Sequence, residues 1–471
     1  MQINITNGTL TQVGETLSPA SGYSLPLAIT VTGATSSYDS ATGEITLTSP
    51  TSAMGISASA VVIPSISIGS LSLSKAYVGS DEIGKIYYGS TLLYEAAPSG
   101  YVMGFRGMST SGPSLTRAGD TSSATWSATS GVISFDGIDV SKIFGGYVGN
   151  DGEELTWDST NLVYKNGSTT YTGNVFVKIN RFFCKAYYVE GVLDGYDLYF
   201  GNSAPDATYQ DWFLGKDHCV IGCYKAKGGS GAYANGLQSK QGLTNVGNAY
   251  ANVIVTAYKK NSSTAYSLHE KWYNENAILQ VLFMALFATR QTDHVFPQAT
   301  YRNCNGDSRA TGYMDSYRAQ SLFAYEPTGN SGERGNMFLG IEDFCGWGFE
   351  LVCGVSLLMK NVHTSLDYAN FSYSGSYSDS GLDRPSDNSF IKELQQSDTI
   401  PGLLIPKTAT DASDNTYFCD YNYYLDYSGG MPWYQGASNP NSSYGVFCFM
   451  GYYSASDSYK SCAGRLCGTP L

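Results

Sequence analysis

The chain has 471 residues, 53 of them Gly and 38 Tyr, and only 14 % are charged. That length exceeds what one ordinary hydrophobic core organises, so several domains are expected. A formal net charge of −13 excludes a surface that tracks nucleic-acid phosphates or anionic lipid, because either needs clustered Lys and Arg. A charge-poor composition rich in Tyr and Gly fits a β- and turn-rich extracellular surface.

In chain order, Met1 runs straight into MQINITNG without the basic and apolar regions of a secretory leader, so export is expected by lysis or on a particle. Residues 1–62 alternate apolar and polar side chains, as in Ala28 to Thr32 and Glu44 to Thr48, joined by the link TSSYDSATG. This reads as a small antiparallel sandwich and resembles the immunoglobulin-like repeats of phage structural proteins and adhesins. In residues 63–98, KAYVGS at Lys75 recurs as KIYYGS at Lys85, followed by TLLYE at Thr91. Such a strand-turn ladder is too short to bury its own face.

Residues 99–262 hold further short strands in GYVMGFRGM, VFVKINRFFCKAYYVEG and DWFLGKDHCVIGCYKA, with Arg106 and Arg117 read as isolated surface charges. Residues 263–471 open on a predicted helix from Ser267, where Ser267 and Glu270 have capping-box spacing. Trp272, Ile278, Leu279, Leu282, Phe283, Leu286 and Phe287 give that helix one broad buried face, and a long loop is expected from Arg290. The apolar run Ala277 to Ala288 is too short to span a bilayer and contains Gln280.

All ten Cys lie at or beyond Cys184, and none has the spacing of a zinc or redox pair, so buried free thiols are favoured over disulfides. His218, His269, His294 and His363 are dispersed, and neither a metal nor a cofactor is expected. Asp411, Asp414, Asp420 and Asp426 lack the dense spacing of a calcium loop and read as a solvated acidic face.

From Tyr417 to Cys467 the rings are spread among Ser, Gly, Asn and Asp, the composition of a binding surface. A Tyr-rich sheet with cross-strand ring packing is the alternative. The ligand-binding candidates are Asp420, Tyr421, Tyr423, Tyr424, Trp433, Tyr434, Tyr444, Tyr452, Tyr453, Asp457, Tyr459 and Ser461. Two enzymatic arrangements compete with them. Glu342 and Glu350 could form a glycosidase pair, and Cys462 with Cys467 an oxidase pair, although no neighbouring His would activate the thiols.

The stretch GIEDFCGWGFELVCGV at Gly340 resembles the Gly-Ile-Glu-Asn, Gly-Asn, Trp-Glu signature of phage tail-fibre and receptor-binding proteins with a C-type-lectin-like fold, shared with formylglycine-generating enzymes. The resemblance covers roughly residues 100–471 and includes the closing Ala463-Gly464-Arg465-Leu466. Cys345, Trp347, Phe349 and Cys353 depart from it, standing where an aromatic, Asn, Trp and Asp are usual. It implies an α+β fold, with all-β immunoglobulin-like modules followed by a C-type-lectin-like domain, and motif Glu residues that bond backbone or Arg partners. It also implies an elongated virion protein, not an enzyme, whose N-terminal modules join other virion proteins while the C-terminal surface grips a host protein or glycan. Some members are diversified by retroelements, which yields residue types like those after Tyr417; ordinary selection for receptor binding yields the same types. A polysaccharide-degrading or formylglycine-type enzyme, and a structural fibre whose Tyr cluster forms a homotrimer interface, stay open.

Overall fold

The computed structural model describes residues 100–471 except 226–235, 244–250, 298–310, 329–334, 346–347, 370, 374, 411–415, 429, 438–444, 452–453 and 457–461; within 1–99 it describes the backbone of eleven short strands. The chain divides into two compact units, Met1–Gly100 and Tyr101–Leu471. Strands take 43 % of the interpretable chain and helices 11 %, in several sheets, one nearly closed into a barrel. This corrects the α+β expectation: the fold is β-rich, because one long helix is set among many strands.

In the first unit, Glu44–Thr48 lies between Glu15–Thr16 and Thr35–Tyr38 in a three-stranded sheet, and Thr30–Thr32 pairs with Gly55–Ser57. The first four residues of the link TSSYDSATG are therefore strand, as suits their Thr, Ser and Tyr. In the repeat, Tyr77–Val78 pairs with Asp81–Glu82, and Lys85–Tyr88 with Thr91–Glu95.

In the second unit, an eight-stranded sheet joins Phe176–Asn180 and His218–Gly222 to the C-terminal strand Leu466–Pro470, with Tyr266–Glu270 at its edge. A nine-stranded sheet runs in order from Ser378–Asp383 through Asn361–Thr364, Gly348–Leu358, Met431–Ala437, Phe449–Gly451, Tyr421–Tyr424 and Ser389–Gln396 to Leu404–Thr410, with Cys462–Ala463 beside Gly348–Leu358. Two five-stranded sheets complete the unit, one centred on Val192–Phe200 and one on Ala324–Tyr325.

The long helix is Tyr273–Phe287, not a helix from Ser267. Ser267 and Glu270 belong to Tyr266–Glu270, which pairs residue for residue with Leu466–Pro470, and this tertiary ladder overrides the local capping pattern. The helix starts instead on Glu275. One of its carboxylate oxygens accepts from Trp272 N at 2.8 Å and the other lies 2.8 Å from His269 Nε2. All fifteen helical residues are buried, including Asn274, Asn276 and Gln280, so the helix is a central rod rather than a one-faced surface helix.

At its C-terminus, Arg117 donates to Ala285 O at 2.5 Å and to Leu286 O at 2.6 Å, satisfying orphan carbonyls at the negative end of the helix. Arg117 is thus a structural cap. Arg106 is also engaged: it pairs with Asp197 at 2.8 Å, and its guanidinium carbon lies 3.4 Å from the centroid of the Tyr187 ring. Among the described residues, no helix is long and apolar enough to cross a membrane.

Candidate functional site: a pinned tyrosine strand

Tyr421–Tyr424 sits between Phe449–Gly451, with which it runs parallel, and Ser389–Gln396, with which it runs antiparallel. The two-residue period of a strand sends Asn422 inward, where its Nδ2 donates to Asp387 O at 2.7 Å. Tyr421 and Tyr423 share the opposite face, with ring centroids 4.6 Å apart and Phe390 at 5.3 Å from Tyr421. The Tyr421 hydroxyl donates to Asn388 O, and Tyr424 N donates to Asn388 Oδ1 at 2.8 Å. Tyr421, Tyr423 and Tyr424 are half-buried, and the chain continues into exposed Leu425, Asp426 and Tyr427. Met359, at the turn between Gly348–Leu358 and Asn361–Thr364, is exposed and donates from N to Tyr427 O at 3.1 Å.

One buried guanidinium holds these segments together. Arg384 Nε donates to Met359 O at 2.9 Å, Nη2 to Leu425 O at 3.2 Å, and Nη1 to Gly451 O at 3.2 Å and Tyr423 O at 3.4 Å. Its Cζ lies 4.6 Å from the centroid of the Tyr424 ring, so the same cation orients an accessible ring. Burial pulls its pKa down to about 10, against the pull of Tyr424 and Asp426, which leaves it charged at neutral pH.

Asp420 secures the other end of the strand. It accepts from Gly445 N, from Phe447 N at 3.3 Å and from Thr292 Oγ1 at 3.4 Å. Burial pushes its pKa up to about 8, and neighbouring Asp293 adds to the rise, while the three donors oppose it.

The structure therefore divides the candidate residues. Tyr421 and Tyr423 share one face of the strand while Tyr424 lies over Arg384, all three half-buried, whereas Asp420, Trp433 and Tyr434 are buried and cannot meet a ligand as expected from the sequence. The reason is position: Met431–Ala437 is a central strand between Gly348–Leu358 and Phe449–Gly451, so its rings are core, and Trp433 packs 4.7 Å from Phe449. Asp420 likewise leaves the expected solvated acidic face, on which Asp426 is exposed. Tyr444, Tyr452, Tyr453, Asp457, Tyr459 and Ser461 lie outside the described residues, as do Asp411 and Asp414. Arg384, Asn388, Met359 and Leu425 belong to the site and were not legible in the sequence; only the lone cation of LDRPSD in a Ser- and Gly-rich stretch hinted at the first.

The motif residues around Gly340 meet in the core. Glu350 pairs with Arg465 at 2.9 Å, Lys271 at 2.5 Å and Lys225 at 3.8 Å. Burial raises the Glu350 pKa, but those three cations outweigh it and hold the carboxyl below its ordinary range. Arg465 also donates to Gly222 O, Glu342 O and Asp343 O, and its N donates to Glu270 Oε1 at 2.7 Å. Glu342 accepts from Gly312 N at 2.9 Å and Met314 N at 3.0 Å. Both Glu residues thus bond backbone or cationic partners. At 1 % and 3 % exposure, neither can reach a saccharide.

Among the described residues no group of His, Cys, Asp and Glu could hold a metal ion, and eight cysteines are buried free thiols. Cys467 is one of them, its thiol pushed up by burial, while the side chain of Cys462 lies outside the described residues. No protein-family model matches the chain, and no curated protein matches it significantly.

Proposed function

We propose that this chain is a receptor-binding protein of a phage particle, recognising a host-surface ligand through the rings at and after Tyr421–Tyr424 and joining other virion proteins through its N-terminal β modules. The observation that carries the reading is a cluster of partly accessible rings, Tyr421, Tyr423, Tyr424 and Tyr427, on a strand and its continuation whose backbone is fixed by Arg384 and Asp420. Adhesive surfaces draw most of their energy from a few aromatic anchors, and anchors held in place before binding lose little entropy on contact. The resemblance at Gly340 to Val355 and at Arg465 supports the phage assignment. The proposal gives the surface no covalent chemistry.

The test is binding of fluorescently labelled protein to a panel of bacterial strains. Tyr424→Ala with Tyr427→Ala weakens binding about tenfold or more and leaves the melting transition in place. Full binding by a variant that melts like the parent overturns the reading. Diversification by a retroelement is tested separately, by finding a reverse transcriptase beside a near-copy of the last coding segment in the neighbouring DNA.

A further inference from the structure

We infer that the partner met at this surface is a protein presenting an apolar side chain flanked by Lys or Arg, rather than a saccharide; the inference rests on the receptor-binding reading above. Three observations carry it. The first is what the patch exposes. Met359 is 49 % exposed, Leu425 36 % and Tyr427 42 %, and the three are neighbours: Met359 N donates to Tyr427 O, while Arg384 ties Met359 O to Leu425 O. A thioether and an isobutyl group offer little to a polyhydroxylated ring, whereas Met and aromatic side chains are enriched where protein surfaces meet.

The second observation is where the polar atoms point. A saccharide is fixed by convergent hydrogen-bonding groups aimed at its hydroxyls. Among the described residues around the patch, most of those groups are engaged within the chain. The Arg384 guanidinium serves four carbonyls, the Tyr421 hydroxyl is given to Asn388 O, Asn388 Oδ1 takes Tyr424 N, and Asn422 Nδ2 serves Pro385 O and Asp387 O. Asp426, whose Oδ1 accepts from the Tyr424 hydroxyl at 3.3 Å, stands at the edge with its carboxylate in solvent.

The third is charge. Asp383, Asp387 and Asp426 are exposed on the segments that frame the patch, against Lys360, whose carbonyl accepts from Arg384 N; the Arg384 charge itself is buried. An apolar centre with an acidic rim complements an apolar knob with cationic neighbours, and the rim charges set encounter rate and salt dependence.

The experiment takes a strain that binds the intact chain and compares untreated cells, cells shaved with protease and cells oxidised with periodate, using the parent chain, Asp426→Asn and Leu425→Ser. Protease treatment is expected to reduce binding about tenfold or more, and periodate to leave it within about twofold. Asp426→Asn weakens binding several-fold at low salt, a deficit that shrinks near ~0.5 M salt, and Leu425→Ser weakens it at both. Loss of binding after periodate, alone or together with protease, overturns the inference and leaves the receptor-binding reading standing. Parent-like binding by both variants overturns it as well. Failure to bind any untreated strain overturns that reading, and this inference with it.

Discussion

Arg384 and Trp433 show how differently two large side chains in one sheet contribute. Arg384 gives four carbonyls from three segments a charged donor, so Arg384→Met leaves buried acceptors unpaired at a cost of about 3 kcal/mol. Hydrogen exchange is expected to quicken at residues 358–361, 423–427 and 449–451, and to stay slow around Glu350 and Arg465. Uniform loosening of the whole unit would show instead that Arg384 is a general core residue. Trp433→Ala removes a ring that is 1 % exposed against Phe449, so the expected loss is roughly 3–5 kcal/mol of stability, seen in denaturant unfolding. A Trp433→Ala chain that keeps its stability but loses cell binding would contradict that placement.

Elements were legible from the sequence where local pattern and tertiary pairing agree. Glu44–Thr48 alternates, Lys85–Tyr88 repeats the run at Lys75 and Phe176–Asn180 alternates only loosely, and all three form strands. Ser267 to Glu270 carries a helix-start pattern and is a strand, because Leu466–Pro470, nearly two hundred residues later in the sequence, supplies its hydrogen bonds. No local window contains that information. The binding strand was legible as composition but not as geometry: spacing marks Tyr421 and Tyr423 as one face, yet only the strand order shows that Trp433 and Tyr434 lie in the interior. Nothing local in the sequence marks Arg384 and Met359, because their roles depend on contacts with segments brought in from elsewhere in the chain. Just before the closing strand stands Arg465, which joins Gly222, Glu342, Asp343 and Glu350. Glu350→Gln removes the anion from three buried cations and is expected to cost about 3–5 kcal/mol by denaturant unfolding, whereas a cost below ~1 kcal/mol would contradict the lattice as described.

At the scale of the molecule, buried carboxyls give the chain a pH signature. Burial raises Asp315, Glu270 and Glu342 above their ordinary values, and it raises Asp420 to about 8. A raised carboxyl keeps its proton in the folded chain after the unfolded chain has lost it. The stability it contributes is therefore whole below about pH 4 and declines as pH rises through the folded pKa; Glu350, held low, contributes in the opposite sense. Unfolding free energy is expected to fall between about pH 4 and 8, with a shallower slope in Asp420→Asn. Equal slopes in the two proteins would remove Asp420 from the account. The same interior fixes the outer rings, since Asp420 anchors one end of the strand that bears them and Arg384 the other. Whether these rings meet the host surface is read out by hydroxyl-radical footprinting of the intact chain, free and bound to a recognised cell surface. Met359, Tyr424, Leu425 and Tyr427 are expected to become protected while Tyr188 and Val189, exposed at the hairpin between Phe183–Val189 and Val192–Phe200, are not; unchanged oxidation at the first four, with protection elsewhere, overturns the placement of the binding surface.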